Sequence, residues 1–378
     1  MGEHSVWAEV DASALIHNLH EVSRLVGRGT EIMAVVKANA YGHGLVDAAR
    51  IFLNNGADRL GVARPEEGVE LRRAGIEAPI ILLGYTPPAA YRQVLENELT
   101  VTLYNYELAR LFSVEAGKAG ISARVHLKID TGMHRLGLQV NDEIYKEILQ
   151  IALLPHLVIE GLFTHFAKAD EKDKRHANQQ LLQFFELTCT LGQDGLDIPV
   201  LHAANSAAVI DIPESHMNLV RPGLMLYGLY PSDQVDHKNV QLRPALSLKA
   251  QVSMVKKVPA GTGISYGCTY TTEDTRVLAT VPAGYGDGYT RLLSNKGEVL
   301  VHGVRAPVVG TVCMDQIIVD VTRIDGVAIG DEVVLYGVQD GVHLPVEDAA
   351  GKIGTINYEI TCALSVRVPR IYIQQQGN

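Results

Sequence analysis

The run Ile32-Met33-Ala34-Val35-Val36 is apolar and ends abruptly in Lys37, after which Ala38-Asn39-Ala40-Tyr41-Gly42-His43-Gly44 follows at once. A compact apolar run with adjacent valines reads as a buried strand, and it places Lys37 at the strand's C-terminal lip, where α/β folds gather their chemistry. An amine held there can trap a carbonyl group. Other side chains with chemical potential recur at the ends of later apolar runs: Lys128, Asp130 and Arg135, then His165, then Asn205-Ser206, then Arg221 with Gly223 close behind. Taken singly, each has an ordinary explanation: a solvated lysine, a satisfied core histidine, a surface arginine paired with an acid. Ser206 is expected to open a helix. Its hydroxyl and the first free N–H groups would then suit an anion, and Gly223 would let a second backbone segment approach the same anion. A simple serine cap is the plainer alternative.

Elements that could position these groups follow from periodicity. Leu15, Leu19, Val22 and Leu25 form a helical stripe behind Asp11, a good N-cap. After the Lys37 strand, further strands are expected over 59–63, 79–83, 99–103, 123–129, 157–165, 200–204 and 218–221, which makes eight. Helical stretches ending in Gly75, Gly120 and Gly192 separate some of them. Strands alternating with helices must pair in parallel through crossovers. Eight such units fit an α/β fold of the (β/α)₈ TIM-type barrel class over residues 11–235. The stretch 231–239 is polar and reads as a linker. Beyond it the runs 246–252, 277–282, 299–301, 308–312, 316–321 and 332–336 predict a mainly-β domain over 240–378, which residues 1–10 are expected to join as a strand.

Composition limits the function. The chain has 378 residues, 47% of them apolar, and a formal charge of -10. That is enough for a large core, and there is no basic tract to neutralise a row of phosphates, so no nucleic-acid partner is expected. Four scattered cysteines form no Cys-x-x-Cys pair, so neither a metal site nor a disulfide framework is expected. Early acidic residues break any signal peptide, and no apolar run approaches membrane-spanning length, so a cytoplasmic protein with no membrane partner is expected. Asp130-Thr131-Gly132 copies an aspartic-protease triplet without a second copy. Gly284-Tyr285-Gly286-Asp287-Gly288 has the wrong spacing and setting for a dinucleotide loop.

The segment 35–44 closely resembles the cofactor-lysine motif of alanine racemases. Gly263-Ile264-Ser265-Tyr266-Gly267 and Gly310-Thr311-Val312-Cys313-Met314-Asp315-Gln316 are similar to two further motifs of that family, and the likeness runs from Trp7 to Arg370. The resemblance implies pyridoxal 5′-phosphate bound as an imine on Lys37, with Lys37 and Tyr266 as the two bases acting on the D- and L-enantiomers of alanine. It further implies that Tyr41, Asn205, Ser206, Gly223, Leu224 and Tyr358 hold the phosphate region. Arg221 is implied to face the pyridine nitrogen and Arg135 the phenolic oxygen and substrate. The backbone of Met314 is implied to position the substrate carboxylate, with Asp315 and Lys128 in support, Lys128 being carbamylated in some members. Positive charge from His165 and Arg221 would help a phenol, ordinarily near pKa 10, act as a base. A head-to-tail homodimer that supplies D-alanine to a bacterial cell wall is implied as well. Alternatives are another barrel-type pyridoxal-phosphate enzyme, such as a broader racemase or a decarboxylase, and a non-catalytic carrier of the same group.

Overall fold

The structure, a computed structural model, describes residues 3–374. The outermost residues of the expected terminal segments, 1–2 and 375–378, lie outside the described residues. The chain divides into two compact units. Of the described residues, one unit comprises Ala14–Ala40 with Leu45–Arg243, and the other 3–13, Tyr41–Gly44 and 244–374.

The first unit is a parallel barrel. Its strands run in the order Leu219–Val220, Glu31–Val35, Arg59–Val62, Ile80–Leu82, Thr100–Leu103, Ala123–Asp130, Leu157–Phe163 and Val200–His202. Every pairing along this path is parallel. A hydrogen bond from Arg221 N to Ala204 O, 3.0 Å, joins the ends of the last and first strands in the list. The helix Ala12–Val26 begins where Asp11 Oδ1 accepts from Ser13 N at 2.8 Å, and its Leu15, Leu19 and Val22 are fully buried, as the helical stripe requires. Inside the barrel, Met33, Ile81, Val200 and Leu219 pack into one cluster with side chains from four strands.

The second unit is rich in strands. A sheet runs Val304–Pro307, Glu298–Val301, Glu332–Gln339, Leu246–Gln251, Val6–Asp11 and Arg370–Ile373. The N-terminal strand pairs antiparallel with Leu246–Gln251 and parallel with Arg370–Ile373. A smaller sheet combines Met254–Val258, Arg276–Val281 and Ile317–Asp320.

Three features depart from the sequence-based expectation. The valine-rich stretch 308–312 is no strand: only an isolated bridge, Val308 with Val319, is present, and the strand lies just before it at Val304–Pro307. The polar stretch 231–239 is packed on the barrel unit rather than free. Lys172 N donates to Gln234 Oε1 at 2.9 Å, and the Tyr230 and His237 rings stack with centroids 3.9 Å apart. Finally, Tyr41–Gly44 leaves the barrel unit for the other, where Arg370 Nε donates to Gly42 O and Tyr372 Oη to His43 O, both at 2.9 Å. Gly42 has φ +90°, and a Cβ there would collide with the Thr361 carbonyl, so only glycine fits.

The strand that delivers Lys37 is anchored from within, because the buried Tyr227 hydroxyl donates to Val35 O at 3.0 Å. Tyr227→Phe is expected to lower unfolding free energy by about 1–3 kcal/mol by orphaning that carbonyl. Urea unfolding of the two proteins checks this, and unchanged stability would mean that the anchor contributes nothing.

Candidate active site

Lys37 follows the strand Glu31–Val35 and is half-buried. The chain then enters a left-handed turn, with φ of 54°, 55°, 52° and 53° at Ala38, Asn39, Ala40 and Tyr41. Left-handed helical backbone costs an L-residue about 1–2 kcal/mol, so such a run persists only where its surroundings enforce it. Glu67 does so from one side, accepting from Ala38 N at 2.6 Å, and Asn39 from the other, its Oδ1 accepting from Leu45 N at 2.8 Å. The result is an abrupt change of direction immediately after the lysine.

Arg221 is 4% exposed and follows the strand Leu219–Val220. Its donors go to neutral acceptors: Nη1 to His202 Nδ1 at 2.9 Å, and Nη2 to Thr164 O at 2.8 Å, Ala203 O at 3.0 Å and His165 Nδ1 at 3.2 Å. Among the described residues no carboxylate forms an ion pair with it. Burial pushes its pKa down to about 9, which leaves the guanidinium cationic at neutral pH.

Lys128, also 4% exposed, has its Nζ 5.8 Å from the Phe163 ring centroid, and Arg221 lies over the same ring at 5.2 Å. Desolvation, followed by the charges of Arg135, Arg221 and Lys37, pushes the Lys128 pKa down to about 8, with Asp130 opposing. Asp130 is largely occupied elsewhere, its Oδ1 accepting from the backbone N–H groups of Gly132, Met133 and His134. A chain of net charge -10 thus gathers Lys37, Lys128, Arg135 and Arg221 within electrostatic reach of one another at one mouth of the barrel.

The same field corrects the expected role of His165. Desolvation and the charges of Arg221, Lys128, Arg135 and Lys37 hold its pKa well below the ordinary histidine value. It is a neutral ring, and its Nδ1 accepts from Arg221, so it supplies a hydrogen-bond partner and no positive charge. Ser206 is also not the cap it resembled. Asn205 caps the helix Ser206–Asp211, its Oδ1 accepting from Ala208 N at 3.1 Å, while Ser206 Oγ accepts from Gly223 N at 2.9 Å and Met225 N at 3.3 Å. The two loops expected to share an anion are thereby tied together, and Leu224 opens the short turn that follows Gly223.

The remaining expected residues lie on the strand-rich unit. The rings of Tyr41 and Tyr358 are 6.2 Å apart. Tyr266 is 74% exposed although its backbone is pinned, with Thr311 Oγ1 donating to Tyr266 O at 2.8 Å. Met314 is exposed, and its carbonyl accepts from Gly286 N at 2.8 Å. Asp315 pairs with Arg367 at 2.8 Å, and Arg367 also holds Asp287 at 2.8 Å. Sequence reasoning missed the histidines behind Arg221: His126 lies in a strand that also carries Arg124, Lys128 and Asp130, and His202 ends its strand, so neither stands out locally. Among the described residues, no group of three or more His, Cys, Asp or Glu could hold a metal, and no helix is long and apolar enough to cross a membrane.

A lysine at the C-terminal lip of a parallel barrel, set in a cation-rich mouth and accompanied by a strand-rich unit, is the arrangement of barrel-type pyridoxal-phosphate enzymes. Residues 10–231 match the family model described as alanine racemase, N-terminal domain, and 245–372 that of the C-terminal domain. The chain is 48% identical to the alanine racemase of Methanococcus maripaludis (99% of this chain, 100% of that protein) and 50% identical to that of Desulforamulus reducens (97% and 99%). Among solved structures, alanine racemase of Clostridium difficile 630 superposes with TM-score 0.96 at 42% identity, covering 99% of this chain and 97% of the other. Alanine racemase from Bartonella henselae, with covalently bound pyridoxal phosphate, gives 0.86 at 30% identity, covering 98% and 100%. The chain belongs to the alanine racemase family.

The depressed Lys128 has a direct readout in cofactor-free protein. Its amine, neutral above its pKa, is expected to react with an acylating reagent with a midpoint near about 8, as against the ordinary value of 10.5. Competitive labelling followed by peptide mass spectrometry checks this, and a midpoint near the ordinary value would contradict the burial argument.

Proposed function

We propose that this protein interconverts L-alanine and D-alanine with pyridoxal 5′-phosphate held on Lys37. One observation carries the reading: the lysine emerges into a mouth whose buried cation, Arg221, has only neutral acceptors and no carboxylate partner among the described residues. A dianionic phosphate, a phenolate and a ring nitrogen are the complementary groups. When bound, this cofactor supplies an electron sink that makes the Cα proton of an attached amino acid removable.

The chain's own residues then divide the work. Lys37, released once a substrate amine takes its place, accepts or returns the Cα proton on the face of the D-enantiomer, and Tyr266 does so on the face of the L-enantiomer. Arg221 donates to the ring nitrogen and keeps its own protons, so that nitrogen stays unprotonated and side reactions such as transamination are disfavoured. Arg135 donates to the phenolic oxygen and the substrate. Ser206, still carrying its hydroxyl proton while accepting two N–H groups, joins Asn205, Gly223 and Leu224 at the phosphate, with the Tyr41 and Tyr358 hydroxyls as further donors. A carboxylate only accepts, so a backbone hydrogen bond from Met314 to a substrate carboxylate comes from its N–H, while its carbonyl accepts from Gly286 N. Asp315 holds Arg367, and through it the Met314 turn.

The exposure of Tyr266, together with Met314 and Tyr285 on the same strand-rich unit, supports a head-to-tail homodimer in which Tyr266 serves the lysine of the second copy. The free cysteines are consistent with a cytoplasmic location, and supply of D-alanine to a cell wall is the role we assign.

Incubating L-alanine with cofactor-loaded protein in D₂O is expected to abolish optical activity as deuterium enters Cα. Alanine left untouched by loaded protein would defeat the reading. Tyr266→Phe should slow removal of the L-alanine proton far more than that of the D-alanine proton, as read by isotope exchange. Mixing it with Lys37→Ala chains should restore roughly a quarter of the wild-type activity, since half the dimers then hold one intact site of two. No recovery would place Tyr266 at the lysine of its own chain.

A further inference from the structure

Behind Arg221 lies a line of polar side chains inside the barrel that the proposed reaction does not use. His202 Nε2 is 2.7 Å from His126 Nδ1, and His126 Nε2 is 3.1 Å from Glu160 Oε2. Both rings are fully buried and Glu160 nearly so. Glu160 Oε1 faces Arg59 Nη1 at 3.2 Å and Arg124 Nη1 at 3.4 Å, and Arg59 also pairs with Glu31 at 2.6 Å.

The two ends of this line determine where every proton sits. Glu160, flanked by guanidinium groups, is ionised and can only accept, so His126 Nε2 carries a proton and donates it. At the other end Arg221 can only donate, so His202 Nδ1 is bare. One proton remains for the contact between the rings, and it must lie on His202 Nε2 and point at the bare His126 Nδ1. Turning either ring into its other tautomer, or adding a second proton to it, sets two N–H groups against each other somewhere along the line. Only one arrangement satisfies all of the contacts. Burial and the charges of Arg59 and Arg221 oppose protonation of either ring.

The surrounding barrel is shaped to hold this line. A Cβ at Gly161 would run into the His126 ring, so glycine is required beside it. Phe163 stacks on His202 with centroids 4.7 Å apart and planes within 8°, and Arg221 sits over the same Phe163 ring.

We propose that His202, His126 and Glu160 are positioning residues that form a one-way hydrogen-bond chain, which fixes His202 as an acceptor and thereby orients the Arg221 guanidinium without neutralising it. The part of this proposal that concerns the cofactor rests on the assignment of Arg221 above; the proton arrangement does not. Glu160 thus sets, from two rings away, how firmly Arg221 holds its ligand. Loss of the carboxylate frees both rings to invert, and an inverted His202 presents N–H to the guanidinium.

Nitrogen-15 NMR of the histidine rings, in cofactor-free and loaded full-length protein, tests the arrangement in the unaltered chain. The rings of His126 and His202, their signals assigned by substituting each in turn, are expected as neutral Nε2–H tautomers, unchanged from about pH 6 to 9. Either ring found as the Nδ1–H form or as an imidazolium overturns the proposal. In Glu160→Gln, whose amide can donate or accept, a second set of ring signals is expected. The share of turnovers diverted to pyruvate by transamination is expected to rise about tenfold, as when the partner of an orienting group is removed. Unchanged ring signals and an unchanged partition would overturn the proposal. Protein with the expected ring signals but no exchange on alanine would count against the functional reading alone.

Discussion

A buried guanidinium with no carboxylate partner among the described residues is the constraint around which the barrel is arranged. Isolated charge in a low-dielectric interior is costly, and proteins usually relieve it with an ion pair. Here Arg221 receives two backbone carbonyls and two neutral imidazole nitrogens instead. These satisfy its donors while leaving its charge intact. A carboxylate in the place of His202 would hold the side chain as well, but would cancel the field that attracts an anionic cofactor. The same field fixes the state of its neighbours. Lys128 falls to about 8 and His165 stays neutral because each shares a desolvated space with a cation that does not give way.

Geometry at the lysine serves the same end. Strand pairing ends at Val35, and the left-handed turn over Ala38–Tyr41 carries the chain away at once, so Lys37 sits at the lip. The strain is local, and its supports are Asn39 within the turn and Glu67 reaching in from the helix Pro65–Arg73. The strand-rich unit contributes differently: its Tyr266 is rigidly based but outwardly exposed, through backbone contacts to Thr311 rather than burial of the ring. A group presented in this way suits the proposed completion of a site on another copy, where docking itself would supply the exclusion of water that the isolated surface lacks.

What the sequence made legible was what local pattern encodes. Apolar runs marked the barrel strands, and the residue that ends each run marked the mouth, so Lys37, Arg221 and Asn205-Ser206 could be placed before any coordinates. Val308–Val309 misled because β-branched residues suit any pleated surface, and whether a partner strand lies alongside is a tertiary fact. The stretch 231–239 misled for the converse reason: Gln234 and Asp236 look solvated, yet their groups complete hydrogen bonds on the barrel surface. The charge of His165 was misjudged because desolvation depends on what surrounds a side chain in space. Neither the left-handed turn nor the line from Arg221 to Glu160 has a local signature, since one depends on Glu67 reaching across and the other draws on three separate strands.

That line is also the least economical part of the core in terms of stability. Apolar side chains in place of His126, His202 and Glu160 would avoid burying a carboxylate and two imidazoles, and such replacements are often neutral or stabilising by a few kcal/mol. They would leave Arg221 without an acceptor on Nη1, however, and a buried guanidinium missing a partner loses far more than a neutral group would. Nor could a single neutral acceptor do the same work, because a lone histidine would have its tautomer held by the guanidinium alone. Continuing through a second ring to a group that cannot donate forces the same choice from the far end as well. The barrel interior is polar here because orienting a cation without neutralising it requires an acceptor whose lone pair is guaranteed, and that guarantee has to be anchored beyond the reach of the cation's own charge.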